Sequence, residues 1–305
     1  MAETKADNVP LLSAGVAFFG LLAAVPALAA LASLYGLVTS PADVAADTSD
    51  LLRGAPREVR ELVEMQLRAI ADGRSSDASV GAAVGFLVSL WSAASGTRHA
   101  IAGANAAYDE EETRGFVRLR VLSMMLTVGL MIFVVAALAM ITLLPAIGAE
   151  LSLGEPARLA IVILRWPALA IAFALALAVF YRYAPDRDDA QWRWVSPGAV
   201  VATLMWLLGS LAFAAYTANL GRYNETYGSL GVVVVVMLWL FLGAFAVIFG
   251  AELNAEVERQ TVKDTTEGRP RPMGTRQAYA ADTLGESPAS HDCGTGSRSD
   301  ARTSS

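Results

Sequence analysis

Six apolar runs, each at least 22 residues long, leave this chain few ways to fold in water. Leu11–Val38, Val121–Ala149, Val195–Gly221 and Leu230–Ala251 carry no charge. Val80–Ala107 is interrupted only by Arg98 and His99, and Leu159–Tyr181 only by Arg165. A helix rising about 1.5 Å per residue crosses a hydrocarbon core of about 30 Å in about 20 residues, so every run suffices. A single helix satisfies its own backbone hydrogen bonds in lipid, and these runs lack the polar alternation of barrel strands. The pattern predicts an all-α, polytopic membrane protein with six transmembrane helices at about 11–38, 80–107, 121–149, 159–181, 195–221 and 230–251.

Composition supports a lipid solvent. Of 305 residues 55% are hydrophobic and 17% charged, with a mean hydropathy of +0.47. Ordinary soluble domains carry about 25% charged residues. The net charge of −6 and the lack of a basic face exclude nucleic acid as a partner, because phosphate binding needs clustered Lys and Arg. Cys293 is the one cysteine, so no intrachain disulfide or thiolate metal site is expected. With only His99 and His291, no nucleotide loop and no serine–histidine pair, neither a catalytic centre nor a cofactor is predicted.

Ala27-Leu-Ala29 resembles a signal cleavage site, but the apolar run is too long for a signal peptide, so a retained first span is expected. Within the hydrophilic connection 39–79, residues 56–73 read as an amphipathic helix in the outer loop. The helix either lies on lipid or caps the bundle. Beyond residue 260 apolar periodicity vanishes, and 261–305 is predicted to be a disordered cytoplasmic tail. With the amino terminus inside, nine Lys and Arg fall on the cytoplasmic side and seven outside, a small margin for that orientation.

Polar residues that interrupt an apolar chain mark its candidate site. Arg98 is costly inside a span, so it either pairs, with Glu252 as the candidate partner, or snorkels to the interface along its alkyl stem. Glu252 and Glu256 share one helix face with Asn254 between them, either as a cation or proton station or as a helix end in water. Tyr216, Asn219, Tyr223 and Tyr227 form either an interfacial aromatic belt or a polar mouth between the fifth and sixth spans. Asn105, Tyr108, Glu112 and Arg114 make a second polar junction after the second span. Gly81, Gly85 and Ser89, spaced by four, present a flat face for another helix. Such a face serves internal packing, the preferred reading, or a homo-oligomer.

These junctions resemble the YihY/virulence factor BrkB family of bacterial and archaeal inner-membrane proteins. The carrying residues are Ala14–Gly36, Trp91-Ser-Ala-Ala-Ser-Gly96, Asn105-Ala-Ala-Tyr108, Glu112-Thr-Arg-Gly-Phe116 and Tyr227-Gly-Ser-Leu-Gly231 through Gly250-Ala-Glu-Leu-Asn-Ala-Glu256. The resemblance implies six spans in the plasma membrane with both termini cytoplasmic. It also implies a link to envelope lipid export, and the short lead-in before the first span departs from the family pattern. The family was long labelled ribonuclease BN, a label the residues here do not support. The reading is a non-enzymatic protein whose partners are membrane lipids. Arg98, Asn105, Tyr108, Arg114, Asn219, Tyr223, Tyr227, Glu252, Asn254 and Glu256 then line a pathway for a lipid or small amphiphile. The alternative is an envelope scaffold whose polar residues only lock helices.

Overall fold

The computed structural model describes residues 9–38, 76–150, 154–218 and 229–285. Six long helices account for most of them: α1 Val9–Val38, α2 Ser76–Ala107, α3 Phe116–Glu150, α4 Glu155–Tyr183, α5 Trp192–Ala218 and α6 Ser229–Arg259. A single turn, α7 Tyr279–Asp282, follows. Among the described residues there is no strand, only one isolated bridge between Ala190 and Thr266. Each long helix covers all or most of a predicted apolar run, because nothing but intrahelical bonding satisfies the backbone of such a run in lipid.

Among the described residues four stretches suffice by length and composition to cross a membrane: Phe116–Ile141, Glu155–Tyr183, Trp192–Tyr216 and Val233–Arg259. Val9–Ala24 adds a shorter apolar stretch, and α2 is the least apolar of the six helices. Outward faces are greasy. Leu208 and Leu211 of α5 stand 67% and 69% exposed, as lipid-facing residues do. The chain is a multi-pass membrane protein.

α1 packs on α2 and α6, α6 on α5, and α3 bridges α2 and α4. The main core gathers at one end of the bundle, where Val9, Ala107, Tyr181, Val195 and Ala255 meet. Its alanines let backbones approach. A Cβ on Gly198 would stand 2.0 Å from the Gly250 carbonyl oxygen, and one on Gly250 would meet Tyr181 Oη at 2.4 Å. α5 and α6 therefore touch backbone to backbone.

Two expectations change. Gly85 has nothing within 4 Å of a built Cβ, so the predicted internal contact does not form there. The close approach falls further along α2, at Gly96, whose Cβ would meet that of Ala23 in α1 at 3.0 Å. Ser89 is half-buried, and the surroundings of Gly81 lie outside the described residues. Second, residues 260–285 are not a disordered tail. They fold back over the helix ends, with Thr265, Thr266 and Arg276 buried, because charge pairing supplies the order that apolar periodicity does not. Residues 56–73 lie outside the described residues.

Candidate functional site

α2 ends in a Schellman turn: Glu110 N–H donates to the Asn105 carbonyl at 2.9 Å and Asp109 N–H to that of Ala106 at 3.2 Å. Asp109 takes φ 55°, the left-handed position glycine usually fills. The turn aims Glu112 and Arg114 back at the bundle. Arg114 grips Glu112 through two bonds of 2.7 Å and also donates to the Ala184 carbonyl. Asn105 bridges two loops, donating to Glu112 at 3.0 Å and accepting from Asp186 N–H at 2.8 Å. Thr113 caps Asp186 through both its N–H and its hydroxyl. Burial alone raises the carboxyls of Glu112 and Asp186, but these donors and the Arg114 charge win and hold both below the ordinary range.

Deeper in, Arg187 meets Glu258 at 2.7 Å, with side chains only 1% and 0% exposed. Thr265 adds a hydroxyl bond to the same carboxylate oxygen. Desolvation is the largest influence and opposes the Arg187 charge, yet Glu258, Tyr108 and Glu110 together outweigh it and raise the guanidinium pKa. Beside the pair, burial first and then the Glu258 charge raise the Tyr108 phenol well above its usual value, keeping it neutral. Residues 260–285 close over this core. Asp189 and Gln191 exchange backbone bonds with Glu267 and Thr265, Arg182 pairs with Glu267, and Arg271 with Asp188. Arg276 is buried among the carbonyls of Val262, Lys263, Arg271 and Ala281.

Asn254 locks α6 to α5. Its Oδ1 accepts from Gly198 N–H at 2.7 Å and its Nδ2 donates to the Val195 carbonyl at 3.2 Å, on either side of Pro197. Proline removes a helical donor and disturbs the turn before it, so a side-chain amide there steadies a weak point. Tyr181 ties α4 to α6 by donating to the Val247 carbonyl at 2.8 Å.

Next to this polar cap lies a cavity of about 1230 Å³ between α2, α3 and α4, floored by Val247 of α6. Small-molecule pockets usually measure about 300–1,000 Å³. Leu122, Leu126, Phe133 and Phe173 give it apolar walls, while Arg114, Arg118, Asp186 and Arg187 stand at one end. From Arg118 to Phe133 it follows α3 for fifteen residues, about 22 Å at 1.5 Å each. That exceeds the roughly 15 Å depth of one leaflet's hydrocarbon.

The predicted site residues scatter. Of those among the described residues, Arg114 alone lines this cavity. Asn105, Tyr108 and Asn254 are buried in packing roles, and Glu256 accepts from Arg259 at 2.9 Å. Glu252 is buried and is not among the residues that line the cavity. Asn219, Tyr223 and Tyr227 lie outside the described residues. Sequence reading missed Arg118, Arg187 and Glu258, whose only signal was charge next to an apolar span. Among the described residues no three His, Cys, Asp or Glu side chains converge as a metal site.

Comparison with known proteins places these features in a family. The chain is 30% identical over 260 residues to the putative ribonuclease-like protein YfkH of Bacillus subtilis, covering 81% of this chain and 90% of that one. A UPF0761 membrane protein of Alteromonas mediterranea is 34% identical over 100 residues, 33% of this chain and 34% of its own. Another, from Rhodospirillum centenum, is 29% identical over 126 residues, 38% of this chain and 28% of its own. No solved structure matches significantly. The virulence factor BrkB family model matches residues 1–274. The chain is a member of the virulence factor BrkB family of membrane proteins.

Proposed function

We propose that this protein spans the plasma membrane six times, with both termini cytoplasmic, and passes a lipid or small amphiphile through the α2–α3–α4 groove. The observation that carries the proposal is the shape and polarity of that groove: apolar for about 22 Å, with Arg114, Arg118 and Arg187 facing Asp186 and Asp189 at one end. Orientation is supported by Arg114, Arg182, Arg187, Arg259 and Arg271 gathering at one end, the pattern of a cytoplasmic face. Val9 and Ala280 share a core cluster at that same end, which favours both termini on one side. The action is non-enzymatic, with membrane lipid as the partner. A net charge of −6 is unsuited to RNA, so the purified protein is expected to leave RNA intact.

A second reading, an envelope scaffold, draws on Asn105 and Asn254, which lock elements together. Reconstitution separates the two. Vesicles carrying a fluorescent lipid in the inner leaflet should expose it faster with the protein present, and Leu126→Trp, which fills the groove, should slow this. Equal rates with and without protein would remove translocation and favour the scaffold.

A further inference from the structure

We infer that the groove is selective for an anionic, phosphate-bearing amphiphile, its headgroup taken by Arg118 and Arg187 and its chain laid along α3 toward Phe133. The inference rests on the reading of the groove as an amphiphile site and adds which amphiphile it takes.

The charges at the mouth are unequally committed. Arg114 is spent on Glu112, the Ala184 carbonyl and Asp186. Asp186 is spent on Arg114 and on both donors of Thr113. Asp189 faces Arg182 at 3.9 Å. The uncommitted donors are cationic. Arg118 is exposed on the lining and has no hydrogen bond or ion pair among the described residues. Arg187 lines the same end, is 1% exposed, and keeps Nη1 without a hydrogen-bond partner while Nη2 holds Glu258. A buried guanidinium donor left without an acceptor is costly, and a phosphate oxygen is the acceptor that matches it best. The fork of Arg118 on the open side, backed by the charge of Arg187, whose guanidinium also lies 5.0 Å over the Tyr108 ring, suits a headgroup with several anionic oxygens. The apolar run beyond them rejects a bare ion and welcomes a chain.

The test uses the full chain purified into nanodiscs of equal parts phosphatidic acid and phosphatidylcholine with matched acyl chains. Native mass spectrometry then counts the lipids that stay bound. Phosphatidic acid should be retained over phosphatidylcholine by about tenfold, and Arg118→Gln should bring the ratio close to one. Arg118 is exposed, so unfolding of Arg118→Gln by heat should match that of the parent protein, which separates lost recognition from lost fold. Equal retention of the two lipids, or a preference that survives Arg118→Gln, would overturn the selectivity and leave the groove reading standing. Absence of any retained lipid would instead count against the groove reading itself. Displacement of phosphatidic acid by inorganic phosphate would reassign the site to a free anion and overturn the inference.

Discussion

Removing the Glu258 carboxylate should strand a buried cation at the centre of the polar cap. At 2.7 Å the Arg187–Glu258 attraction is about 6 kcal/mol for an effective dielectric near 20, before desolvation is subtracted. Burying each ion costs several kcal/mol, so the pair itself adds little net stability. The single change Glu258→Leu leaves that cost on Arg187 without the attraction, a loss of about 3–5 kcal/mol. Thr265 loses its acceptor as well. Against the roughly 5–15 kcal/mol that separates folded from unfolded proteins, such a loss is severe. Replacing both residues, Arg187→Met with Glu258→Leu, removes charge and partner together and should restore most of the stability. Heating each variant in detergent and following the folded peak by size exclusion gives the double-mutant cycle. Hydrogen exchange of 260–285 shows whether the fold-back loosens with it. If the double change is as damaging as the two single ones added together, the buried-pair account is wrong.

Three further outcomes follow from the same geometry. Gly250→Ala or Gly198→Ala should force α5 from α6, since the new methyl meets atoms at 2.4 Å and 2.0 Å; the loss is about 1–3 kcal/mol or more by thermal unfolding. Asn254→Ala should remove two bonds across the α5–α6 contact at a cost of about 1–3 kcal/mol, and Asn254→Gln should not rescue them. Burial raises the Asp264 carboxyl, but the N–H groups of Arg271 and Thr266, the Thr266 hydroxyl and the Arg276 charge outweigh it and hold the pKa below the ordinary value. A carboxyl depressed on folding stabilises above its unfolded pKa of about 3.9, and that stability disappears as pH falls through the folded value. Hydrogen exchange of 264–276, corrected for its intrinsic rate, should therefore rise in acid, and Asp264→Asn should show the loosened state already at neutral pH.

The helices were legible because an uncharged run of this length has only one stable backbone arrangement in lipid. Thus the run at 121–149 appears inside Phe116–Glu150, and that at 195–221 largely inside Trp192–Ala218. The α2–α3 junction was legible as a cluster too, since Asn105, Glu112 and Arg114 do converge. Their task was not legible, because a buried amide that bridges loops and one that lines a pathway are the same residue in a sequence. Asn254 shows this most clearly. Its partners, Gly198 and Val195, lie 56 and 59 residues away, and no local spacing announces them. The α5–α6 contact left a fainter trace in Gly198 and Ala202, small residues spaced by four that both meet Gly250. The fold-back of 260–285 escaped periodicity because it is held by Arg271, Arg276 and Glu267 pairing with distant groups. Only the acids at 186–189, opposite a stretch rich in arginine, hinted at it. Glu258 was passed over because acids past a span end read as solvated.

The most direct measurement is photocrosslinking from a phospholipid with a diazirine midway along its acyl chain, in nanodiscs, mapped by peptide mass spectrometry. If the α2–α3–α4 groove holds a lipid chain, adducts should concentrate on groove-lining residues such as Leu122, Met125, Leu126 and Phe173. They should exceed those on the outward face of α5 at Leu204, Leu208 and Leu211. Equal labelling of the two sets would mean that the groove sees only the surrounding bilayer, and would contradict the account.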